Sequence, residues 1–245
     1  MCGIAGMFNL NGSPVSNQEI KLMTDALAHR GPDGEGIYVD QNLGLGHRRL
    51  AILDVSPKGA QPMMSKDGVW IIVFNGCIYN FRELKIELQS KGHEFVSNSD
   101  TEVIAEGLAA YGPSFVTRLD GMFAVGAWNT QSRELFLSRD RFGVKPLYYY
   151  FKNGVLLFAS EIKAFLGMSC FSVELNFEAL NEYFTFQNMF TFQTLFKNVY
   201  MLPQANTIKI NSLSTEIIHK SWWDYDFSKT DEKMSFQDAK SDTER

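Results

Sequence analysis

Apolar positions along this chain recur with two periods, and the switches between them mark its elements. Residues 3–8 form a short unbroken apolar run, the pattern of a buried strand. Ser16 and Glu19 then make a capping box ahead of Ile20, Met23 and Leu27, which share one helix face. The turn cluster His29-Arg30-Gly31-Pro32-Asp33-Gly34 ends that helix. Short strands are predicted at 36–39, at 43–48 and around 50–53. After a polar loop, a strand at 69–74 delivers Asn75-Gly76. Asn80 with Glu83 predicts the cap of a second helix carrying Phe81, Leu84 and Leu88. Ser99 with Glu102 predicts the cap of a third, carrying Val103, Ile104, Leu108 and Tyr111. Residues 122–128, 134–139, 147–151 and 155–160 read as an antiparallel meander, with turns at 129–132 and at Asn153-Gly154. Beyond Leu166 the pattern loosens to one helix at 176–185 and a late hairpin from 207–210 and 217–219.

Strands flank a helical middle, which favours α+β layering over alternating βαβ winding. The 245 residues suffice for one sizeable core rather than two full domains. Twenty phenylalanines point to an aromatic interior. A net charge of −5 with dispersed basic residues argues against nucleic acid as a partner. The longest apolar runs are strand-sized, so no membrane span or membrane partner is expected. The first residues lack the basic-then-apolar order of a signal peptide. Three widely spaced cysteines, Cys2, Cys77 and Cys170, give neither a disulfide framework nor metal-ligand spacing. Together these features predict a cytoplasmic protein. Residues 229–245 are polar, with Phe236 and Ala239 only beginning an apolar stripe, so the chain reads as the front part of a longer protein.

Cys2 is the candidate for chemistry. Removing Met1 would place its thiol and a free α-amine on one carbon skeleton. A thiol attacks carbonyl carbon well only as thiolate and so needs a base. An α-amine titrates at about 7.7–8.0 against about 10.4 for lysine, which suits it to that task near neutral pH. Asn75-Gly76 alone reads as a type I′ hairpin turn. The helix cap at Asn80, however, leaves no second strand close enough for a tight hairpin. Ser99 and Asp100 both fit as the N-cap of the third helix. Arg139, Asp140, Arg141 and Lys145 fit turn hydrogen bonds and ion pairs better than a phosphate site. Arg48 fits a solvated strand-end arginine, and Gly44-x-Gly46 lacks the third glycine and following helix of a dinucleotide loop.

Five segments together resemble the glutamine amidotransferase domain of asparagine synthetase, a class II amidotransferase with an N-terminal nucleophile. They are Met1-Cys2-Gly3-Ile4-Ala5-Gly6, His29-Arg30-Gly31-Pro32-Asp33, His47-Arg48-Arg49-Leu50, Phe74-Asn75-Gly76-Cys77-Ile78-Tyr79-Asn80 and Ser99-Asp100-Thr101-Glu102. A sixth, Ser138-Arg139-Asp140-Arg141-Phe142-Gly143-Val144-Lys145-Pro146-Leu147-Tyr148, is more similar to asparagine synthetase than to other class II relatives. The resemblance implies an N-terminal nucleophile hydrolase fold, a four-layer αββα sandwich with two antiparallel sheets between helix layers. It implies glutamine hydrolysis by Cys2 through a thioester, with the Asn75 side chain and the Gly76 N–H as oxyanion donors. Arg49 would take the α-carboxylate of glutamine beside the backbone of Leu50, Ala51, Ile52 and Leu53. Asp100 would take its α-ammonium, leaving Ser99 to cap. Cys77 stands where these relatives usually carry a glutamate that helps hold that ammonium, which implies weakened glutamine binding. Cys2 and Cys77 facing one pocket would also be able to pair on oxidation.

The implied organisation is a glutaminase domain over 2–223, with 224–245 as linker to an absent C-terminal synthetase domain. That ATP-pyrophosphatase domain would be the partner receiving ammonia for aspartate. ATP and Mg²⁺ are expected only there, with no cofactor and no metal in the glutaminase domain. A homodimer is left open. The alternatives are the same glutaminase serving another carboxylate or sugar acid in surface-polysaccharide synthesis, and a non-catalytic binding or regulatory module.

Overall fold

A computed structural model describes residues 1–214, 216–228 and 235–243. Strand β1 (Gly3–Asn9) leads into helix α1 (Asn17–Asp25), then β2 (Gly34–Asp40), β3 (Leu43–Arg49) and the two-residue β4 (Met63–Met64). β5 (Trp70–Ile78) precedes helices α2 (Phe81–Ser90) and α3 (Asp100–Tyr111). Four strands follow: β6 (Gly121–Asn129), β7 (Glu134–Arg139), β8 (Tyr148–Lys152) and β9 (Val155–Ala159). The chain continues through α4 (Phe177–Phe186), β10 (Val199–Met201), β11 (Asn206–Ile210), β12 (His219–Ser221) and α5 (Phe236–Thr243). One antiparallel sheet has the order β10-β8-β9-β1-β3-β2, the other β12-β11-β7-β6-β5-β4.

Period-two alternation explains the layers. Ile4 and Phe8 of β1 and Leu43 and Leu45 of β3 meet Ile71 and Val73 of β5 and Trp128 of β6 between the sheets. Phe8 and Trp128 pack edge to face with centroids 5.4 Å apart. The alternate residues Trp70, Ile72 and Phe74 face α2 and α3 on one outside. Ala5 and Met7 face Ile20 and Met23 of α1 on the other. The result is the expected αββα sandwich. Gly44 and Gly46 let α1 lie close on β3, since a Cβ at either would come 2.4 Å from an α1 side chain, Ile20 or Thr24.

The predicted capping box is present: Ser16 Oγ accepts from Glu19 N, and Glu19 Oε2 accepts from Ser16 N at 2.8 Å. Asn153 and Gly154 turn β8 into β9 with φ of 53° and 72°, as a type I′ pair requires. The late hairpin forms as β11 and β12, with its second strand starting at His219 rather than at 217.

Four expectations are corrected. Residues 50–53 make no strand; they turn outward, leaving Ile52 71% exposed, because Arg49 ends its pairing with β2 at Gly34. Asn75 and Gly76 lie inside β5 rather than after it, since β6 pairs with β5 through Ile78. Asn80 occupies the N-cap of α2 without a side-chain cap; its amide instead bridges Arg118 O and Asp120 N. The predicted meander is split between sheets. The Asp140 carboxylate accepts N–H bonds from Phe142, Val144, Lys145 and Phe123, a corner that takes the chain from β7 in one sheet to β8 in the other. Of the segment 224–245, residues 229–234 and 244–245 lie outside the described residues.

Candidate active site

The alternation that builds the core also builds a pocket at one end of the sandwich. Arg49 continues the inward face of Leu43 and Leu45, and Asn75 and Cys77 continue that of Ile71 and Val73. Gly3 pairs with Arg48, so Cys2, one residue ahead, falls opposite Arg49. These side chains line a cavity of about 210 Å³ together with the backbone of residues 50–53, Asp100 and Lys145. The structure thus brings every sequence-predicted site residue into one pocket.

Cys2 is half-buried, and its Sγ receives the Leu50 N–H at 3.4 Å. Burial pushes its thiol above the ordinary 9.0; Leu50, the terminal ammonium and Arg49 oppose this, and Asp100 adds to it. A neutral thiol at pH 7 needs a base before it can attack. In the chain with Met1 present, the terminal amine is that of Met1, bonded to Arg30 O at 3.2 Å.

Two unsatisfied donors face this sulfur's pocket. Asn75 is 1% exposed, and its Nδ2 has no hydrogen-bond partner among the described residues. Such an orphan costs about 1–3 kcal/mol unless something accepts from it. Gly76 supplies the second donor by strand geometry. Phe123 of β6 exchanges both backbone groups with the Asp140 side, through Asp140 N to Phe123 O at 2.9 Å and Phe123 N to Asp140 Oδ2 at 3.0 Å. Its neighbour Gly76 therefore turns its own N–H away from β6. The N–H groups two residues either side point the same way and are occupied: Phe74 N by Gln61 Oε1 at 2.6 Å, Ile78 N by Asp100 Oδ2 at 3.0 Å. Gly76 N–H between them has no partner among the described residues. The absent side chain serves the sheet rather than the substrate: a Cβ here would lie 2.2 Å from Met122 O.

The guanidinium of Arg49 is held by Ser56 O at 2.9 Å and by Asp54 O, which aims it along the pocket wall. Arg48 points to the other face and is mostly buried, bonded to Thr24 O at 3.1 Å and paired with Asp25 and Glu35. It is a clasp for α1, not a solvated arginine. Ser99 caps α3 through Thr101 N at 3.1 Å, which leaves Asp100 free to face the cavity. Burial raises the Asp100 carboxyl to about 6, against the N–H bonds of Ile78 and Thr101. Cys77 lines the same wall, its thiol raised by burial and by Asp100 and lowered by Lys145. Arg139, Asp140 and Arg141 make turn hydrogen bonds: Arg139 donates to the carbonyls of Lys145, Leu202 and Gly143, and Arg141 to that of Leu119.

Gln61, Asp54 and Lys145 were not expected in the site. Gln61 is set by the loop before β4, where no periodic pattern guides a reading. Lys145 lies in the corner whose turn chemistry masked its direction.

Residues 1–223 match the family described as the glutamine amidotransferase domain. The chain is 43% identical over 190 residues to asparagine synthetase [glutamine-hydrolyzing] 1 of Bacillus subtilis, covering 76% of this chain and 30% of that protein. It is 37% identical over 232 residues to asparagine synthetase [glutamine-hydrolyzing] 2 of the same organism, covering 91% and 30%. The chain thus spans about a third of the length of these curated relatives. Among solved structures, glutamine phosphoribosylpyrophosphate amidotransferase from B. subtilis superposes with a TM-score of 0.66 at 20% identity, over 90% of this chain and 49% of that one, a likeness of fold.

Proposed function

The chain belongs to the glutamine amidotransferase domain family, and from that premise we propose that it releases ammonia from the side-chain amide of glutamine, with Cys2 as nucleophile. The observation that carries this reading is the pair of donors without a partner among the described residues, Asn75 Nδ2 and Gly76 N–H, on the wall of the Cys2 pocket. Donors already in place where negative charge develops are the usual main source of catalysis in acyl transfer.

Removal of Met1 frees the Cys2 α-amine, which takes the thiol proton as sulfur attacks the amide carbon. The resulting oxyanion accepts from Asn75 Nδ2 and Gly76 N–H. Collapse of the tetrahedral intermediate breaks the C–N bond, and the α-ammonium returns its proton to the departing nitrogen as ammonia. Water, deprotonated by the same amine, then attacks the γ-glutamyl thioester and frees glutamate and the thiol. Arg49 grips the α-carboxylate in bidentate fashion, and Asp100, ionised above pH 6, holds the α-ammonium.

The ammonia would serve an ATP-dependent synthetase domain acting on aspartate, a reading supported by the names of the curated relatives, glutamine-hydrolysing asparagine synthetases. ATP and Mg²⁺ belong to that domain in this reading. This reading puts the boundary near Trp223, and a family match over residues 1–223 supports it. Phe177, Phe184 and Phe190, all more than half exposed on and just after α4, support an apolar surface for such a partner. No helix among the described residues is long and apolar enough to cross a membrane, and a cytoplasmic setting fits a working thiol.

The test is ammonia release from glutamine by protein whose intact mass shows Met1 removed. Cys2→Ala should abolish it, and Asn75→Ala should lower kcat by about a hundredfold to a thousandfold. Equal release by Cys2→Ala protein would end the proposal.

A further inference from the structure

The pocket wall holds a cation that neither the oxyanion site nor the grip on glutamine uses. Lys145 is 6% exposed, although lysine is almost never buried without a partner. Its Nζ lies 3.2 Å from Met1 Sδ, and no carboxylate among the described residues is within ion-pair reach of it. Among the described residues, its one side-chain hydrogen-bond partner therefore belongs to the residue whose removal creates the catalytic base. Covalent dimensions of the Met1 side chain keep Lys145 Nζ within about 10 Å of the Cys2 nitrogen.

We propose that Lys145 is a positioning residue: with Met1 gone, its ammonium faces the freed Cys2 α-amine, disfavours protonation there, and keeps more of the amine as base near neutral pH. The inference rests on the proposed role of that amine. Other charges near the amine do not replace this one. Arg30 donates to Cys2 O at 2.9 Å, but Glu161 lies 2.8 Å from its guanidinium and offsets it. Arg49 is a second cation in the free enzyme, unchanged between the Lys145 variants, and is neutralised once it holds a carboxylate of the substrate. Asp100 on α3 and Asp54 after β3 act in the opposite sense, favouring the protonated amine. Cys77 on β5 is a neutral thiol at pH 7. Lys145 remains the uncompensated cation through the whole reaction.

A unit charge about 6–10 Å away through a medium of intermediate polarity shifts a titration by about half to one pH unit. The experiment compares Met1-processed wild type, Lys145→Met, which keeps the stem and loses the charge, and Lys145→Arg, which keeps the charge. The acidic limb of kcat/KM against pH reports the highest essential group of the free enzyme. In Lys145→Met it should move up by about half to one pH unit, with activity at high pH within about twofold of wild type. Lys145→Arg should follow wild type. The α-amine titrated directly by ¹⁵N NMR of cysteine-labelled protein should move by the same amount. An unmoved limb and unmoved amine in a Lys145→Met protein of wild-type thermal stability overturns the inference. Wild type that releases no ammonia instead overturns the proposed function, so the two failures are distinct.

Discussion

Asp100 shows at the scale of one residue how a group proposed to bind substrate opposes the fold that holds it. Its folded pKa, about 6, lies above its ordinary 3.8. Between those values the native state binds the proton that the unfolded chain has lost, so stability falls as pH rises from 4 to 6, and the cost is complete above 6. Two pH units correspond to roughly 3 kcal/mol. Asp100→Asn, which can still accept from Ile78 N, should therefore raise the urea midpoint at pH 7 while raising KM for glutamine at least tenfold. A lowered midpoint with unchanged KM would remove Asp100 from the substrate site. Cys77 offers the reverse case. Cys77→Glu restores a charge beside Asp100 and should lower KM by about tenfold, as a hydrogen bond to a charged group is worth about 1.5–3 kcal/mol; kcat should change little. An unchanged KM would place the substrate ammonium elsewhere. That both residues line the Cys2 pocket was readable in sequence through the resemblance, because the motif positions carry them. Lys145 was not, since nothing in its spacing tells which way a corner residue points.

Elements were legible where local chemistry decides them and illegible where pairing decides them. The Ser16 box was readable because both partners lie within one turn; Ser16→Ala should cost about 1 kcal/mol in urea unfolding, and no loss would mean the cap is idle. Asn80 looked like an equal cap, yet a contact nearly forty residues away claims its side chain. The Asn75-Gly76 pair was placed after its strand because the apolar run stops at Phe74, whereas pairing with β6 carries the strand through Ile78. That difference is what matters to the site. Inside a strand, alternation fixes the Asn75 side chain toward Cys2 and the Gly76 N–H toward the open edge, with a precision no free loop would give. Gly76→Ala, which meets the β6 backbone, should destabilise the sheet and reduce turnover together, read by thermal unfolding and ammonia release. Reduced turnover at unchanged stability would mean that the glycine serves the substrate instead.

The whole molecule is two antiparallel sheets closing on an aromatic core, with the candidate site at one end where both inward faces run out of apolar residues. His47 sits at that transition, 1% exposed, with neither ring nitrogen satisfied among the described residues. Burial holds it neutral down to about 3, with Arg49 assisting; the nearby Phe74 backbone opposes without completing a hydrogen bond of good geometry. As pH falls below its ordinary 6.5, the unfolded chain takes up a proton that the native state refuses, so this group withdraws about 1.4 kcal/mol of stability per pH unit. Asp100 acts oppositely between 6 and 4. His47→Gln should therefore gain on wild type by that slope across the same range, measured by urea unfolding at several pH values; parallel curves would contradict a neutral buried imidazole. The central claim, however, is a bond between Cys2 and the carbon of glutamine's side-chain amide. It is tested most directly by acid-quenching Met1-processed protein during turnover and mapping its peptides by mass. The account predicts a γ-glutamyl group on the N-terminal Cys2 peptide, absent with Cys2→Ala and accumulating where thioester hydrolysis is slowed. Ammonia released at full rate with no such adduct, or an adduct on Cys77 instead, would contradict it.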